Sequence, residues 1–119
     1  IISENMSILS IYHNAFKSGD IESLKEVLHD DCQFITHVGN TILGKEDMLA
    51  FAGSDMVRME DERILYENDE IGVDHGIAHF ANGSTSEAVL TFYQFNDGKI
   101  FRIETGATPL SDDYQLVGS

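Results

Sequence analysis

Cysteine occurs once in this 119-residue chain, proline once, and tryptophan not at all. A lone thiol excludes an internal disulfide and a thiolate-rich metal site. Cys32 lies in a predicted strand beside a core face, where it reads as a small buried hydrophobe rather than a nucleophile. Basic side chains are scarce as well, 7 against 21 acidic ones, for a formal charge of −14. Such a surface repels phosphate backbones and anionic lipid, so neither nucleic acid nor membrane is expected as a partner, and the acidic shell reads as a source of solubility. No run approaches the roughly 18–20 apolar residues that span a bilayer. No basic-then-apolar signal segment is present. The expected location is cytoplasmic, with allowance for residues trimmed before Ile1. Also missing are a glycine-rich phosphate loop and any His/Cys spacing that reads as a metal site. The reading therefore assigns no metal and no cofactor.

What remains is patterned. Ile8, Leu9, Tyr12, Ala15 and Phe16 recur at three- and four-residue spacing, the mark of one helical face. That helix is expected to be capped by Ser3 or Asn5 and to run to about Lys17. Gly19 suits the left-handed position past a helix end, and Asp20 suits the N-cap of a second helix carrying Ile21, Leu24, Val27 and Leu28. Cys32, Phe34, Thr36 and Val38 then alternate with Gln33, Ile35 and His37, the period of a strand over about 32–37. A turn over 38–41 and a short third helix with Met48, Leu49 and Phe51 follow.

From Arg58 onward the signal is β. Strands are expected over 58–66, 71–80, 87–95 and 100–107, with Asn82-Gly83 and Asn96-Asp97-Gly98 as hairpin turns. Pro109 closes the sheet, and the polar tail 111–119 is expected to fray. The chain thus reads as one domain over 1–119. Its class is α+β: a curved antiparallel or mixed sheet wrapped on an N-terminal helix pair plus a short third helix, cone-shaped like a cystatin-type barrel. Glycines 72 and 76 inside one strand permit strong bending. A bent sheet on a helix leaves a pocket between them.

The runs AFKSGDIESLKEVLHDDCQF, LGKEDMLAF and FYQFNDGKIFRIE resemble the nuclear transport factor 2-like superfamily, in particular its SnoaL-like branch of polyketide cyclases and ketosteroid isomerase. The resemblance spans about Asn5 to Pro109. It implies the cone fold, a small-ligand pocket and homodimers through the sheet. Compared with ketosteroid isomerase, Tyr12 stands where that enzyme has its oxyanion-donor tyrosine. Thr36 stands at the general-base position and Thr91 at the second donor position. Threonine takes up no proton near neutral pH, so that isomerisation does not run by that route here and another base is needed.

Histidine is the side chain suited to the task. His75 and His79 share a strand face with Ile71, Val73 and Ile77. If that apolar face is the concave one, both imidazoles border the pocket as acid–base candidates, with Tyr12 as donor. The alternative is that they are satisfied core histidines, or that the strand faces the other way. Their separation along the strand, roughly 13–14 Å, is too great for both to hold one metal ion. Phe16, Phe34, Thr36, Phe51, Val73, Ile77, Thr91, Tyr93, Ile103 and Thr105 are the expected lining, with Tyr12, His75, Thr91 and Tyr93 as one polar cluster. His37 points away from Thr36 unless the strand bulges, and His13 and His29 fall on predicted helix surfaces. The carboxylates of 60–62 and 67–70 read as solvated edges, and Glu104 as a surface partner of Arg102. Leu90 and Phe92 project from the opposite sheet face, which favours a twofold homodimer through the outer face of the C-terminal strands. Two functions follow. One is a cofactor-free isomerase, dehydratase or cyclase acting on a small apolar molecule by His/Tyr proton transfer. The other is a non-catalytic ligand-binding or scaffold homodimer.

Overall fold

The computed structural model describes residues 7–36, 41–52, 54–83, 85–111 and 113. The first helix, α1 (Ile8–Ser18), starts where the Ser7 side chain accepts from the Ser10 amide, satisfying a donor that no carbonyl reaches. Ser3 and Asn5, the expected caps, lie outside the described residues. Gly19 ends the helix at φ 72°, a conformation that costs glycine little, and the Asp20 amide returns to the Ala15 carbonyl. Asp20 then caps α2 (Ile21–Val27) by accepting from the Ser23 amide and hydroxyl.

The strands are β1 (Leu28–Thr36), β2 (Thr41–Leu43), β3 (Val57–Glu67), β4 (Ile71–Phe80), β5 (Glu87–Asn96) and β6 (Lys99–Pro109), with α3 (Lys45–Ala52) between β2 and β3. β1 begins four residues before the expected Cys32, because Leu28 already pairs with Ile100. Thr41, expected in a turn, belongs to the short strand β2. The sheet order is β2-β1-β6-β5-β4-β3, with β1 and β6 parallel and the other neighbours antiparallel. Asp97-Gly98 makes the two-residue turn between β5 and β6, both residues at positive φ. Asn82-Gly83 lies instead in a six-residue connection, 81–86. This is the α+β cone expected from the sequence, a curved mixed sheet closed by helices.

The helices cover one sheet face. Leu9, Leu24, Leu28, Ile100 and Ile103 are fully buried there and fill the β1–β6 end of the cone. Burying side chains of this size stabilises by about 1.5–3 kcal/mol each. Cys32 is buried with its thiol against the Met48 sulfur, and burial raises its pKa, as suits an inert core thiol.

The face that β4 turns to the helices is the one bearing Gly72, Asp74 and Gly76. A Cβ on Gly72 would stand 2.7 Å from Leu9 Cδ1 and 3.1 Å from Phe95 Cζ, so α1 and β5 occupy the space a side chain would need. The large residues of β4 must then point the other way. Gly72 and Gly76 are therefore sites of close approach to neighbouring side chains.

Candidate active site

His13 belongs to the inward stripe of α1, since it follows Leu9 by four residues and precedes Phe16 by three. Its Nε2 stands 2.5 Å from Asp74 Oδ2 and 3.7 Å from Glu62 Oε2. The three side chains are 14%, 7% and 25% exposed, so solvent screens them little. Tyr93, buried on β5 beside Gly72, donates its hydroxyl to the same Asp74 oxygen at 2.7 Å. Tyr12 packs edge-on to Tyr93, ring centroids 5.8 Å apart. Thr91, the Cα partner of Asp74, is buried next to it, and Thr105 pairs with Thr91 on β6.

The electrostatics follow from this packing. Burial alone lowers the His13 pKa, but the hydrogen bond to Asp74 and the charges of Glu62, Asp74 and Glu67 outweigh it, and the net shift is upward. Glu62 is also raised, first by burial and then by Asp74, against the opposing pull of His13 and Lys17. Tyr12 and Tyr93 are raised as well, by burial first and by neighbouring negative charge second. Both phenols therefore keep their protons at neutral pH, and Tyr93 donates its own to Asp74.

A cleft of about 940 Å³ opens between α1, the end of α3 and β3. Phe16, Phe51, Val57 and Met59 give it one apolar wall, and the rest of the lining is polar, with His13 and Lys17 from α1 and Arg58, Glu60, Asp61 and Glu62 from β3. Phe16 and Phe51 touch across it, centroids 6.2 Å apart. The cone is thus filled at its β1–β6 end and open at the β3 edge.

Of the residues expected at the site, Tyr12, Thr91 and Tyr93 gather around Asp74, and Phe16 and Phe51 line the cleft. Ile103 is fully buried core, Phe34 packs partly buried against that core, and Thr36 sits on β1 at the Cα register of Thr41. His75, His79, Val73 and Ile77 require correction. The β4–β5 pairing is unbroken from Ile71 to Ala78, so these residues alternate away from Asp74 onto the outer face, with Phe92 opposite Val73 and Leu90 opposite His75. His79 has both ring nitrogens engaged, with Ser86 Oγ at 2.7 Å and Glu60 Oε1 at 2.8 Å. Neither imidazole borders the cleft. The site histidine is His13, and its Leu9–His13–Phe16 spacing was the available signal. Asp74, a carboxylate set between two glycines in mid-strand, was another. His37 lies outside the described residues. Glu104 pairs with Arg102 Nε at 3.1 Å, as expected of a surface pair.

One donor atom each from His13, Glu62 and Asp74 falls within 4.8 Å of the others, the one group of this kind among the described residues. Ligands about 2.1 Å from an octahedral ion stand roughly 3 Å apart. The His13–Asp74 contact is shorter, that of a direct hydrogen bond between imidazole and carboxylate.

The SnoaL-like domain family matches residues 10–103 of the chain. No curated protein matches it in sequence. Similar solved structures include a provisionally assigned ketosteroid isomerase from Kribbella flavida, 13% identical over 91% of this chain and 80% of that one, TM-score 0.70. IdmH from Streptomyces antibioticus, provisionally a polyketide cyclase, is 18% identical over 84% and 88%, TM-score 0.66. An LEH-like epoxide hydrolase from M. tuberculosis is 15% identical over 85% and 80%, TM-score 0.63. At these identities the likeness shows a shared fold, while chemistry is set by the residues of each site.

Proposed function

This chain belongs to the SnoaL-like family, and from that premise we propose that it binds a small, largely apolar molecule in the α1–β3 cleft and moves a proton on it without a cofactor. Isomerases, dehydratases and cyclases perform steps of this kind. The observation that carries the reading is the His13 imidazole, held by a buried aspartate and presented to a cleft with one apolar wall. Asp74 fixes the ring and stabilises its protonated form, and Tyr93 holds Asp74 in turn. As an imidazolium, His13 donates to an oxygen that gains charge as the ligand loses a proton. Tyr12 packs beside the His13 ring without lining the cleft.

The test uses 5-nitrobenzisoxazole, a small apolar compound whose ring opens when a base removes its C3 proton and the N–O bond breaks. The native protein is expected to open it faster than equal concentrations of free acetate and imidazole. H13Q is expected to lower that rate by roughly 100-fold, and V57W, which fills the cleft, to abolish it. A native rate equal to the free buffers, or one unaffected by V57W, would remove the proposal.

A homodimer through the outer sheet face is proposed alongside. Leu90 is 51% exposed there, beside half-buried Val73 and Phe92, and His75 Nδ1 is buried without a hydrogen-bond partner among the described residues. Sedimentation of L90E against native protein tests it. Equal, monomeric mass for both would rule it out.

A further inference from the structure

The two carboxylates beside His13 arrive by different routes and meet different surroundings. Asp74 is carried by regular β4 backbone, is 7% exposed and does not line the cleft. Glu62 is carried by an irregular stretch of β3. Glu60 pairs with Ile77 and Arg63 with His75, so Asp61 and Glu62 together oppose the single residue Gly76. That two-against-one count is a β-bulge, and Asp61 takes the left-handed conformation within it, at φ 55°. A Cβ on Gly76 would stand 3.0 Å from Met59 Cε, 3.1 Å from Glu62 Cγ and 3.5 Å from Glu62 Cα, so both β3 side chains use that space. The missing side chain is the space in which Glu62 crosses β4 toward His13. Without the extra residue, Glu62 would not be aimed inward, since one step along a strand reverses the face.

We infer that the bulge and the gap over Gly76 together deliver Glu62 as the ligand-facing proton acceptor of the site, while Asp74 acts as a positioning residue through His13. The inference rests on the proton-transfer reading above and divides its labour. A carbon–hydrogen bond of the ligand breaks, and its proton passes to a Glu62 oxygen. The electron pair moves onto the ligand's own oxygen, which accepts a hydrogen bond from imidazolium His13. No oxidant, reductant or further reactant is needed. Burial and Asp74 raise the proton affinity of Glu62, while His13 and Lys17 from α1 oppose them, so the carboxylate stays a stronger base than a solvated one. Arg58, Glu60 and Asp61 of its own strand and Asp55 before it also border the cleft, and the four together add a net negative charge there that works in the same direction.

The experiment again follows 5-nitrobenzisoxazole opening in the full chain, with the proton going to the carboxylate and the electron pair to the released phenolate. E62Q is expected to reduce kcat by roughly 100-fold or more. G76V, whose backbone has no positive φ to strain, is expected to displace Glu62 and bring the rate close to that of E62Q. The E62Q/G76V pair should then show no further loss. In E62Q the lower limb of the kcat pH profile should vanish. A native rate in E62Q alongside a lost rate in H13Q and V57W overturns the role of Glu62 and leaves the cleft reading standing. A native protein no faster than free buffer overturns both. Full activity in a folded G76V overturns the delivery route.

Discussion

The two faces of β4 carry opposite chemistries, and the obvious assignment of them is inverted. One face bears Ile71, Val73, His75, Ile77 and His79, the other Gly72, Asp74, Gly76, Ala78 and Phe80. By hydrophobicity the first should look inward. It looks outward, because α1 and the bulged β3 come so close to the strand that Leu9 and Glu62 occupy the positions of the missing glycine side chains. Proximity of a helix, rather than apolarity of a stripe, decides which face is internal. The inner face then has room for one carboxylate and for the groups that neutralise it.

That contrast can be broken by substitution, beginning where the effect is greatest. D74A removes the partner of both His13 and the Tyr93 hydroxyl. Orphaning one member of a buried ion pair costs about 3–5 kcal/mol, a loss that urea unfolding would register. G72V forces methyls into Leu9 and Phe95, and overpacking of this kind costs about 1–3 kcal/mol. The same glycine, if it merely allowed bending, would accept valine with little change. Y93F removes one hydrogen bond to a carboxylate and should cost about 1.5–3 kcal/mol. On the outer face, H79A breaks only partly exposed contacts and should move stability by about 0.5 kcal/mol or less. H79A and H75A should both leave 5-nitrobenzisoxazole opening unchanged. A lost rate in either would return the site to the outer face.

Acidity gives another handle on the comparison. His13 binds its proton more tightly in the folded chain than in the unfolded one. Its contribution is therefore fully present below the unfolded histidine value of about 6.5 and is lost as pH rises through the raised folded value. Glu62, also raised, disfavours the folded state progressively as it ionises above the ordinary carboxylate range. Thermal unfolding should show stability declining on the alkaline side of about pH 6.5, and H13Q should flatten that decline. H75A should not.

Much of this was legible beforehand. The helix hinge at Gly19-Asp20, the β-rich second half, the Asp97-Gly98 turn and the cone follow from local rules of capping, periodicity and turn chemistry. Those rules also place Tyr12 and Tyr93 correctly on inward faces. What escaped was the orientation of β4, since alternation states that two faces differ but not which one a helix will approach. His13 was hidden by its neighbour: Tyr12 is apolar enough to define the stripe, and the polar residue after it reads as surface. Glu62 was hidden by the bulge, whose extra residue depends on pairing with a strand ten residues further along. Backbone pairing, unlike periodicity, is not a property of either segment alone.

The most direct test of the account is a pH titration of the five histidine side chains by nitrogen-15 NMR, with the His13 signal assigned through H13Q. The account predicts that His13 titrates above the ordinary histidine value and that D74N brings it down. A His13 that titrates at or below the ordinary value, unmoved by D74N, would contradict it.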